Sequence, residues 1–174
     1  MRTAVVIAIP ALETQRLRLR AFRAEDWHAF AAMEARPEMR RYRGGSPLTP
    51  ELAWTSMQTI LGQWALRGYG AFALETKAEG RFSGFAGILH PADWPEPELA
   101  YSIDTPLWGA GLAVEAATAA RDWGFAAFGF ERFVSYIMSD HLPSRRVAAK
   151  LGATQQGTQP LRGIMAERWV HPRR

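Results

Sequence analysis

The stretch LWGAGLAVEA, residues 107–116, places two glycines directly before a segment that is otherwise typical of a helix. A glycine within a helix costs about 1 kcal/mol relative to alanine, so two of them at this point need a physical reason. Either the turn requires backbone angles that glycine tolerates best, or a ligand must approach the main chain closely. The sequence on both sides of the glycines bears on this choice.

The two glycines lie between a predicted strand and the longest predicted helix. In ELAYSID, residues 98–104, Leu99, Tyr101 and Ile103 alternate with polar or small residues, which is typical of a strand. Residues 112–128 carry apolar side chains at helical spacing. A strand–turn–helix junction presents free N–H groups and the positive end of the helix dipole, which together bind phosphate. A short Gly-x-Gly is equally consistent with a tight turn that binds nothing.

Several familiar sites are excluded by the residues that they would need. A dinucleotide-binding G-x-G-x-x-G would require glycine at position 114, which is Val114, and no G-K-[ST] sequence occurs. No G-x-S-x-G nucleophile turn is present. The sequence predicts no metal site, because no pair of its four histidines has a ligand spacing; they are His28, His90, His141 and His171.

The composition is that of one globular domain of 174 residues. The chain has no cysteine, which excludes disulfides and a thiol nucleophile and fits a reducing cytoplasm. Its net charge of +4 favours anionic partners. A nucleic-acid-binding module is the weakest hypothesis, because most aromatic residues lie on apolar faces. Two basic groups are interpreted as solvated surface: Arg16, Arg18 and Arg20, and Arg40, Arg41 and Arg43.

The N-terminal segment is predicted to stand apart from a single domain. Its apolar run, residues 4–10, is far shorter than the ~18 residues that span a membrane, and no signal-peptide cleavage site is convincing. We therefore expect residues 1–14 to be a tail or an extra strand, residues 15–174 to be one domain, and the protein to have no membrane association.

The rest of the pattern predicts a layered protein with both helices and strands. Thr49 and Pro50 are a sound N-cap and first-turn pair for a helix that ends near Leu66. The remaining predicted helices are residues 24–36 and 144–151, and the remaining predicted strands are residues 16–22, 72–76, 82–89, 133–138 and 164–171.

Three motifs in the correct order resemble one enzyme superfamily. Residues 98–125, ELAYSIDTPLWGAGLAVEAATAARDWGF, resemble the central strand and helix of the GNAT superfamily of acetyl-CoA-dependent N-acetyltransferases. LETQRLRLRAFRAEDW, residues 12–27, and HLPSRRVAAKLGA, residues 141–153, are similar to the branch that contains the ribosomal-protein (Rim-type) N-terminal acetyltransferases. The resemblance covers residues 12–157.

This resemblance implies an α/β (α+β) fold with a mixed, mostly antiparallel sheet of about six to seven strands and about four helices. It implies transfer of an acetyl group from acetyl-CoA to a primary amine through a ternary complex, without a metal. The acceptor would be a small-molecule amine or a protein N-terminal amine, no specific nucleic acid is implied, and a homodimer is plausible for this branch. The alternative is a non-catalytic acyl-CoA-binding sensor or interaction module of the same fold.

The resemblance also implies which residues bind the coenzyme. The family signature [R/Q]-x-x-G-x-[G/A] starts here with Trp108 instead of Arg or Gln, and His141 stands where the family has an asparagine that contacts the pantetheine arm. Histidine can supply one hydrogen bond there, or His141 is a plain loop residue. The implied coenzyme-binding residues are Ile103, Trp108, Gly109, Ala110, Gly111, Leu112, Ala113, His141, Ser144 and Arg146.

The chemistry requires a neutral amine, and the resemblance suggests two catalytic residues. Deprotonating a lysine of pKa about 10.4 at pH 7 costs about 4.6 kcal/mol, whereas an α-amine near 7.7–8.0 needs only about 1 to 1.4 kcal/mol. Glu98 is the candidate base by analogy, with a plain surface carboxylate as the alternative. Ser144 is the candidate acid for the departing thiolate, with a helix N-cap as the alternative.

Further roles follow from the same resemblance and leave alternatives open. Tyr136 is a rival acid or a residue of the sheet face. A backbone N–H near Ile103 would meet the oxyanion. The cations that either reach the 3′-phosphate or form a solvated helix face are Arg145, Arg146 and Lys150. Residues 40–49 and 90–97 would line a site for a protein N-terminus, an amino acid, a polyamine or an aminoglycoside.

Overall fold

One sheet of eight strands runs through the protein, in a computed structural model that describes residues 7–173. The strands are β1 Leu12–Glu13, β2 Leu17–Arg20, β3 Ala71–Thr76, β4 Arg81–Leu89, β5 Glu98–Ile103, β6 Arg132–Ile137, β7 Thr154–Leu161 and β8 Ile164–Pro172. Their order in the sheet is β1-β2-β3-β4-β5-β6-β8-β7, and β5–β6 is the parallel pair among antiparallel ones.

Five α-helices cover the sheet: α1 Trp27–Glu34, α2 Pro37–Arg40, α3 Pro50–Arg67, α4 Leu112–Phe128 and α5 Leu142–Lys150. The predicted start of α3 is confirmed, since the Thr49 hydroxyl accepts a hydrogen bond from the Leu52 N–H at 3.3 Å with Pro50 in the first turn. None of the helices within residues 7–173 combines the length and apolar character that a membrane-spanning helix requires.

The predicted fold class is confirmed, and the element counts are slightly higher than expected. There are eight strands rather than six to seven and five helices rather than about four. Three elements have no predicted range of their own. Two of them, β1 with two residues and α2 with one turn, are too short to produce a hydrophobic period. The third, β7, is mostly polar and exposed, so it shows no apolar alternation. Of the predicted N-terminal tail or extra strand, residues 1–14, residues 1–6 lie outside the described residues, residues 7–11 form no strand, and the two-residue strand β1 lies near its end.

Helices pack on both faces of the sheet. On one face, α4 packs its alanine-rich side on Phe72, Ile88 and Leu99 in the larger core cluster. On the other face, α1 and α3 enclose a second cluster that includes Phe30 and Phe85. Because successive strand residues point to opposite faces, each strand supplies both clusters.

The parallel strands β5 and β6 separate soon after they begin. Their paired register consists of Glu98 opposite Val134, where the Val134 N–H donates to the Pro97 carbonyl at 3.1 Å. One residue later the contact is already a side-chain one, from the Ser135 hydroxyl to the Leu99 carbonyl at 2.7 Å. The sheet therefore opens into a V whose narrow end lies at Glu98.

The first basic group is exposed at Arg16 and Arg18, as the sequence predicted, but its third member, Arg20, is buried. Arg20 is 6% exposed and forms ion pairs of 2.7 Å with both Asp26 and Glu75. The helical turn before α1 and the neighbouring strand β3 supply these carboxylates. The alternation of arginine and leucine could not reveal this, since it specifies which face a side chain occupies and not what covers that face.

The second basic group also has buried partners. Arg40 and Arg43 lie 3.1 and 2.8 Å from the carboxylate of Glu34, which is 1% exposed. A buried carboxylate needs such partners, because an unpaired buried charge is costly. These ion pairs fasten the segment that follows α2 to the end of α1.

Candidate active site

The glycine turn before α4 requires the left-handed backbone conformation. Gly109 and Gly111 have φ angles of +81° and +79°, a region that residues with a Cβ rarely adopt. Gly111 is the N-cap of α4, and no side chain caps the helix there. The first N–H groups of a 17-residue helix therefore remain available for an anion. The expectation that the turn requires the backbone angles of glycine is confirmed. The free N–H groups also suit the second explanation, in which a ligand approaches the main chain closely.

An arginine directly before β2 holds this turn, and sequence reasoning missed it. The Arg16 guanidinium donates to the Ala110 carbonyl at 2.7 Å and pairs with Glu115 at 2.7 Å. The Glu115 carboxylate also accepts from the Thr14 hydroxyl at 2.6 Å. Residues separated by about a hundred positions meet here, so no local pattern could have shown the contact.

The residue at the first signature position points back to β5. The Trp108 indole N–H donates to the carbonyl of Ile103 at 2.6 Å, while much of the ring remains exposed. Ile103 is buried at the end of β5. Of the next two predicted coenzyme residues, Leu112 is buried in the core and Ala113 is half-buried. Trp108 thus connects the glycine turn to the wide end of the V.

Glu98 lies at the narrow end of the V with its carboxylate between the two strands. One oxygen accepts from the Tyr136 N–H at 3.2 Å, and the other accepts from the Trp94 indole N–H at 2.8 Å. The carboxylate therefore takes the place of a backbone partner where β6 leaves β5. Loss of hydration raises the pKa of Glu98 to about 7, against the two hydrogen bonds and the charge of Arg162, which lower it.

Ser144 is not the N-cap of α5, so that alternative is wrong. The N-cap is His141, and Ser144 is the third residue of the helix. Its hydroxyl lies 3.0 Å from the Tyr101 hydroxyl, which also donates to the Ser144 carbonyl at 3.0 Å. Burial and the nearby Glu98 raise the pKa of Tyr101, so this phenol keeps its proton. The alternation in ELAYSID placed Tyr101 on a strand face but gave no sign of its partner.

His141 stacks against an aromatic residue of the loop before α3. Its ring lies 3.9 Å from that of Tyr42 with an interplanar angle of 10°. Burial, together with Arg43 and Arg41, lowers the pKa of His141, although Asp140 opposes this, so the ring is neutral at pH 7. Tyr42 brings the predicted acceptor-lining loop to the start of α5.

The acetyltransferase (GNAT) domain model matches residues 16–154 of the chain. The chain belongs to the GNAT acetyltransferase family. It is 27% identical to the N-acetyltransferase YoaA of Bacillus subtilis over 150 residues, covering 85% of each chain. The structure of an acetyltransferase from Agrobacterium tumefaciens superposes with a TM-score of 0.87 at 29% identity, covering 99% of this chain and 100% of the other.

The GNAT fold of this chain also occurs in the Rim-type branch. A RimL ribosomal-protein α-N-acetyltransferase in complex with coenzyme A has a TM-score of 0.78 at 15% identity, covering 94% of this chain and 98% of the other, which shows a common fold. The expected superfamily is confirmed, its fold is shared with Rim-type enzymes, and the protein is an acyltransferase. These matches favour an enzyme over a non-catalytic module.

Within this GNAT domain the two predicted catalytic residues lie on opposite faces of the sheet. Glu98 shares a face with Ser102, which is opposite Phe85 in the α1–α3 cluster. Tyr101 is opposite Ala86 in the α4 cluster, and its hydroxyl contacts that of Ser144 on that face. The V between β5 and β6 is the passage between the two.

The remaining predicted residues differ in whether their side chains already have a partner within the protein. Arg145 is held by Glu167 at 3.2 Å, whereas Arg146 and Lys150 are exposed on α5. The hydroxyl of Tyr136 is buried near Gln159 and makes no hydrogen bond of ordinary geometry within residues 7–173. Arg146 stays a predicted phosphate contact, and Tyr136 stays a rival acid.

Proposed function

We propose that the protein is an acetyl-CoA-dependent N-acetyltransferase that moves the acetyl group directly to a primary amine in a ternary complex. The observation that carries the proposal is Glu98, a carboxylate of pKa about 7 at the narrow end of the opening between β5 and β6. A general base works best when its pKa lies near the working pH, because it is then ionised and still basic.

Acetyl-CoA would enter on the α4–α5 face. The free N–H groups at the start of α4 suit its pyrophosphate, and the edge of β5 beyond Leu99 suits the pantetheine amides. His141 would meet the pantetheine arm, and Arg146 a phosphate. The residues of the glycine turn supply backbone atoms, which is consistent with the exposed and apolar character of their side chains.

The amine would reach Glu98 from the opposite face. For an α-amine, with a pKa of about 7.7–8.0, a base of this strength removes the proton with little cost, and a lysine would require more help. We infer an acceptor that is a protein N-terminal amine or a small-molecule amine. Residues 40–49 and 90–97 would form its walls, since the first segment reaches His141 through Tyr42 and the second reaches Glu98 through Trp94.

Different groups of the protein would stabilise the carbonyl oxygen and the leaving sulfur of the thioester. Backbone N–H groups of Tyr101 and Ile103, on the edge of β5 that faces the V, would stabilise the oxyanion. The thiolate of coenzyme A, with a pKa near the free thiol value of about 8.5, needs only modest help to leave. Ser144 would give it a proton and regain one from solvent, while the Tyr101 hydroxyl at 3.0 Å would hold the serine oxygen in place.

The pH profile of kcat/KM tests the two roles. Wild-type kcat/KM should rise through about pH 7 as Glu98 ionises. Glu98→Gln should lower kcat/KM by about a hundredfold at pH 7 and recover as the amine deprotonates itself at high pH. Ser144→Ala should cost about tenfold at every pH.

A panel of amines with acetyl-CoA, read as release of free thiol, supplies the acceptor for these assays. If Glu98→Gln leaves the pH profile unchanged, Glu98 is not the base, although acetyl transfer itself would stand. Coenzyme binding without thiol release from any amine would instead support the non-catalytic module.

A further inference from the structure

The turn between β7 and β8 contains a strained arginine. Its two residues, Arg162 and Gly163, have φ angles of +46° and +81°, as a two-residue type I′ hairpin requires. The first position of such a turn favours asparagine, and a long side chain there is unusual. Among residues 7–173, Arg162 is the non-glycine residue with a positive φ. Backbone strain of this kind persists where the side chain has other contacts or a function.

The side chain of Arg162 contacts two residues of the loop that precedes β5. Its Nε and Nη2 atoms lie 2.7 and 2.8 Å from the two carboxylate oxygens of Asp93, a two-point contact that fixes the plane of the guanidinium. The same group lies over the indole ring of Trp94, with its central carbon 4.2 Å from the ring centre. The hairpin tip and residues 90–97 are thereby joined.

Trp94 connects this contact to the carboxylate of Glu98. Its indole N–H donates to Glu98 Oε2 at 2.8 Å, and its ring meets that of Tyr136 edge to face at 6.1 Å. The titratable or charged groups that face Glu98 come from several elements. They are Arg162 on the hairpin, Tyr101 on β5 and Tyr136 on β6, with Glu96, Arg132 and Arg168 next to Tyr136.

We propose that Arg162 is a positioning residue for Glu98, acting through Trp94. The guanidinium, held by Asp93, covers one face of the indole and keeps its N–H directed at the carboxylate. The proposal rests on the proposed function only in the assignment of Glu98 as the base. Because the Asp93–Arg162 pair is more than half exposed, it adds little to the stability of the fold.

The variant Arg162→Asn separates this role from folding. Asparagine suits the first position of a type I′ turn, so the hairpin and Tm should be unchanged. The contact of the guanidinium with the Trp94 indole is lost. The Glu98 pKa should then rise by about one unit, because a hydrogen bond to the ionised form is weakened. Carbon-13 NMR of labelled glutamate measures this pKa directly, with the Glu98 signal identified by its loss in Glu98→Gln.

Kinetics supply the second readout. The acidic limb of the kcat/KM profile should move to higher pH by the same amount as the pKa. The plateau at high pH and the KM for acetyl-CoA should not change. Trp94→Phe should reproduce most of the shift, and in that background Arg162→Asn should add only the smaller direct effect of its charge on Glu98. Arg81→Asn removes a similarly exposed arginine, which pairs with Glu79 away from the site, and is the matched control.

Each contrary result has one meaning. An unchanged Glu98 pKa in Arg162→Asn overturns the proposal and leaves Arg162 a structural residue. Fully additive shifts in the double variant also overturn it, because the charge of Arg162 would then account for its whole effect without Trp94. If the NMR pKa moves as expected but Glu98→Gln has a normal pH profile, the positioning stands and the assignment of the base fails.

Discussion

At the scale of single residues, burial shifts the pKa of three groups in the candidate site: it raises the pKa of Glu98 and Tyr101 and lowers that of His141. His171 shows the same effect outside the site. It is fully buried on β8, with Nε2 at 2.9 Å from the hydroxyl of Ser135, which itself donates to the Leu99 carbonyl. Nε2 is therefore the protonated nitrogen, and Nδ1 has no partner within the described residues. Burial and the charge of Arg121 lower the pKa of His171 to about 4.

This depressed pKa predicts acid sensitivity. An unfolded histidine takes up its proton near pH 6.5, whereas the folded one does so near pH 4, so unfolding binds a proton between these values. Stability should be complete above pH 6.5 and fall as the pH drops toward 4, by up to about 3 kcal/mol. Urea unfolding across this range should show a shallower loss in His171→Gln. The exposed His28→Gln should keep the wild-type slope, and equal slopes in all three proteins would contradict the prediction.

At the scale of elements, the turn between β5 and α4 combines a conformational demand with a free helix end. The left-handed φ of +79° at Gly111 makes any side chain unfavourable there, although a Cβ would meet nothing closer than Arg16 Nη2 at 3.6 Å. The Arg16–Glu115 pair draws the nearest carboxylate of α4 toward β2. Both features leave the N–H groups of the first turn of α4 available to an anion.

Replacing Gly111 should weaken coenzyme binding more than it weakens the fold. Gly111→Val should raise the Kd for coenzyme A by about tenfold or more, because the turn loses the conformation that aims its N–H groups. Calorimetry on the folded variant measures this. Gly157→Val is the matched control, since Gly157 has a φ of +81° on the exposed strand β7 and no neighbour within 4 Å of its Cβ position. Equal affinity in the two variants would show that the glycines do not serve the coenzyme.

Sequence patterns predicted the elements well where one segment carried the whole signal. The bounds of α4 agree with the prediction because a long amphipathic run ends at glycines on both sides. The roles of Glu98 and Ser144 came from resemblance and remain predictions. Contacts between distant segments left no trace in the sequence: Arg20 in its buried ion pairs, Tyr101 on Ser144, and Arg162 over Trp94. Such contacts follow from sheet order, and no local period encodes that order.

At the scale of the whole molecule, the sheet would separate the two proposed substrates. The α4–α5 face carries the glycine turn and Ser144, and the α1–α3 face carries the side of β5 to which Glu98 belongs. The V between β5 and β6 is where the reacting groups would meet. Since the chain also has no cysteine to form a thioester, direct transfer with both substrates bound is the natural scheme.

Initial-rate kinetics test this scheme. With the acetyl-CoA concentration varied at several fixed amine concentrations, reciprocal plots should intersect, because both substrates must be bound before any product leaves. A dead-end analogue of coenzyme A should also bind to the enzyme–amine complex or to the free enzyme without forming product. Parallel lines, or acetylated protein isolated after incubation without amine, would contradict direct transfer.

The open V has one more consequence, which concerns exchange of amide hydrogens with solvent. Amides in the central strand of a sheet ordinarily exchange slowly, because each N–H is tied to a neighbouring strand. Beyond Leu99, the edge of β5 that faces away from β4 has lost β6, so the Tyr101 and Ile103 amides should exchange far faster than those of Ala100 and Ser102, which point toward β4. Filling the V with coenzyme should slow the fast pair alone. The middle of the sheet would then behave as a β-sheet edge that becomes protected on binding.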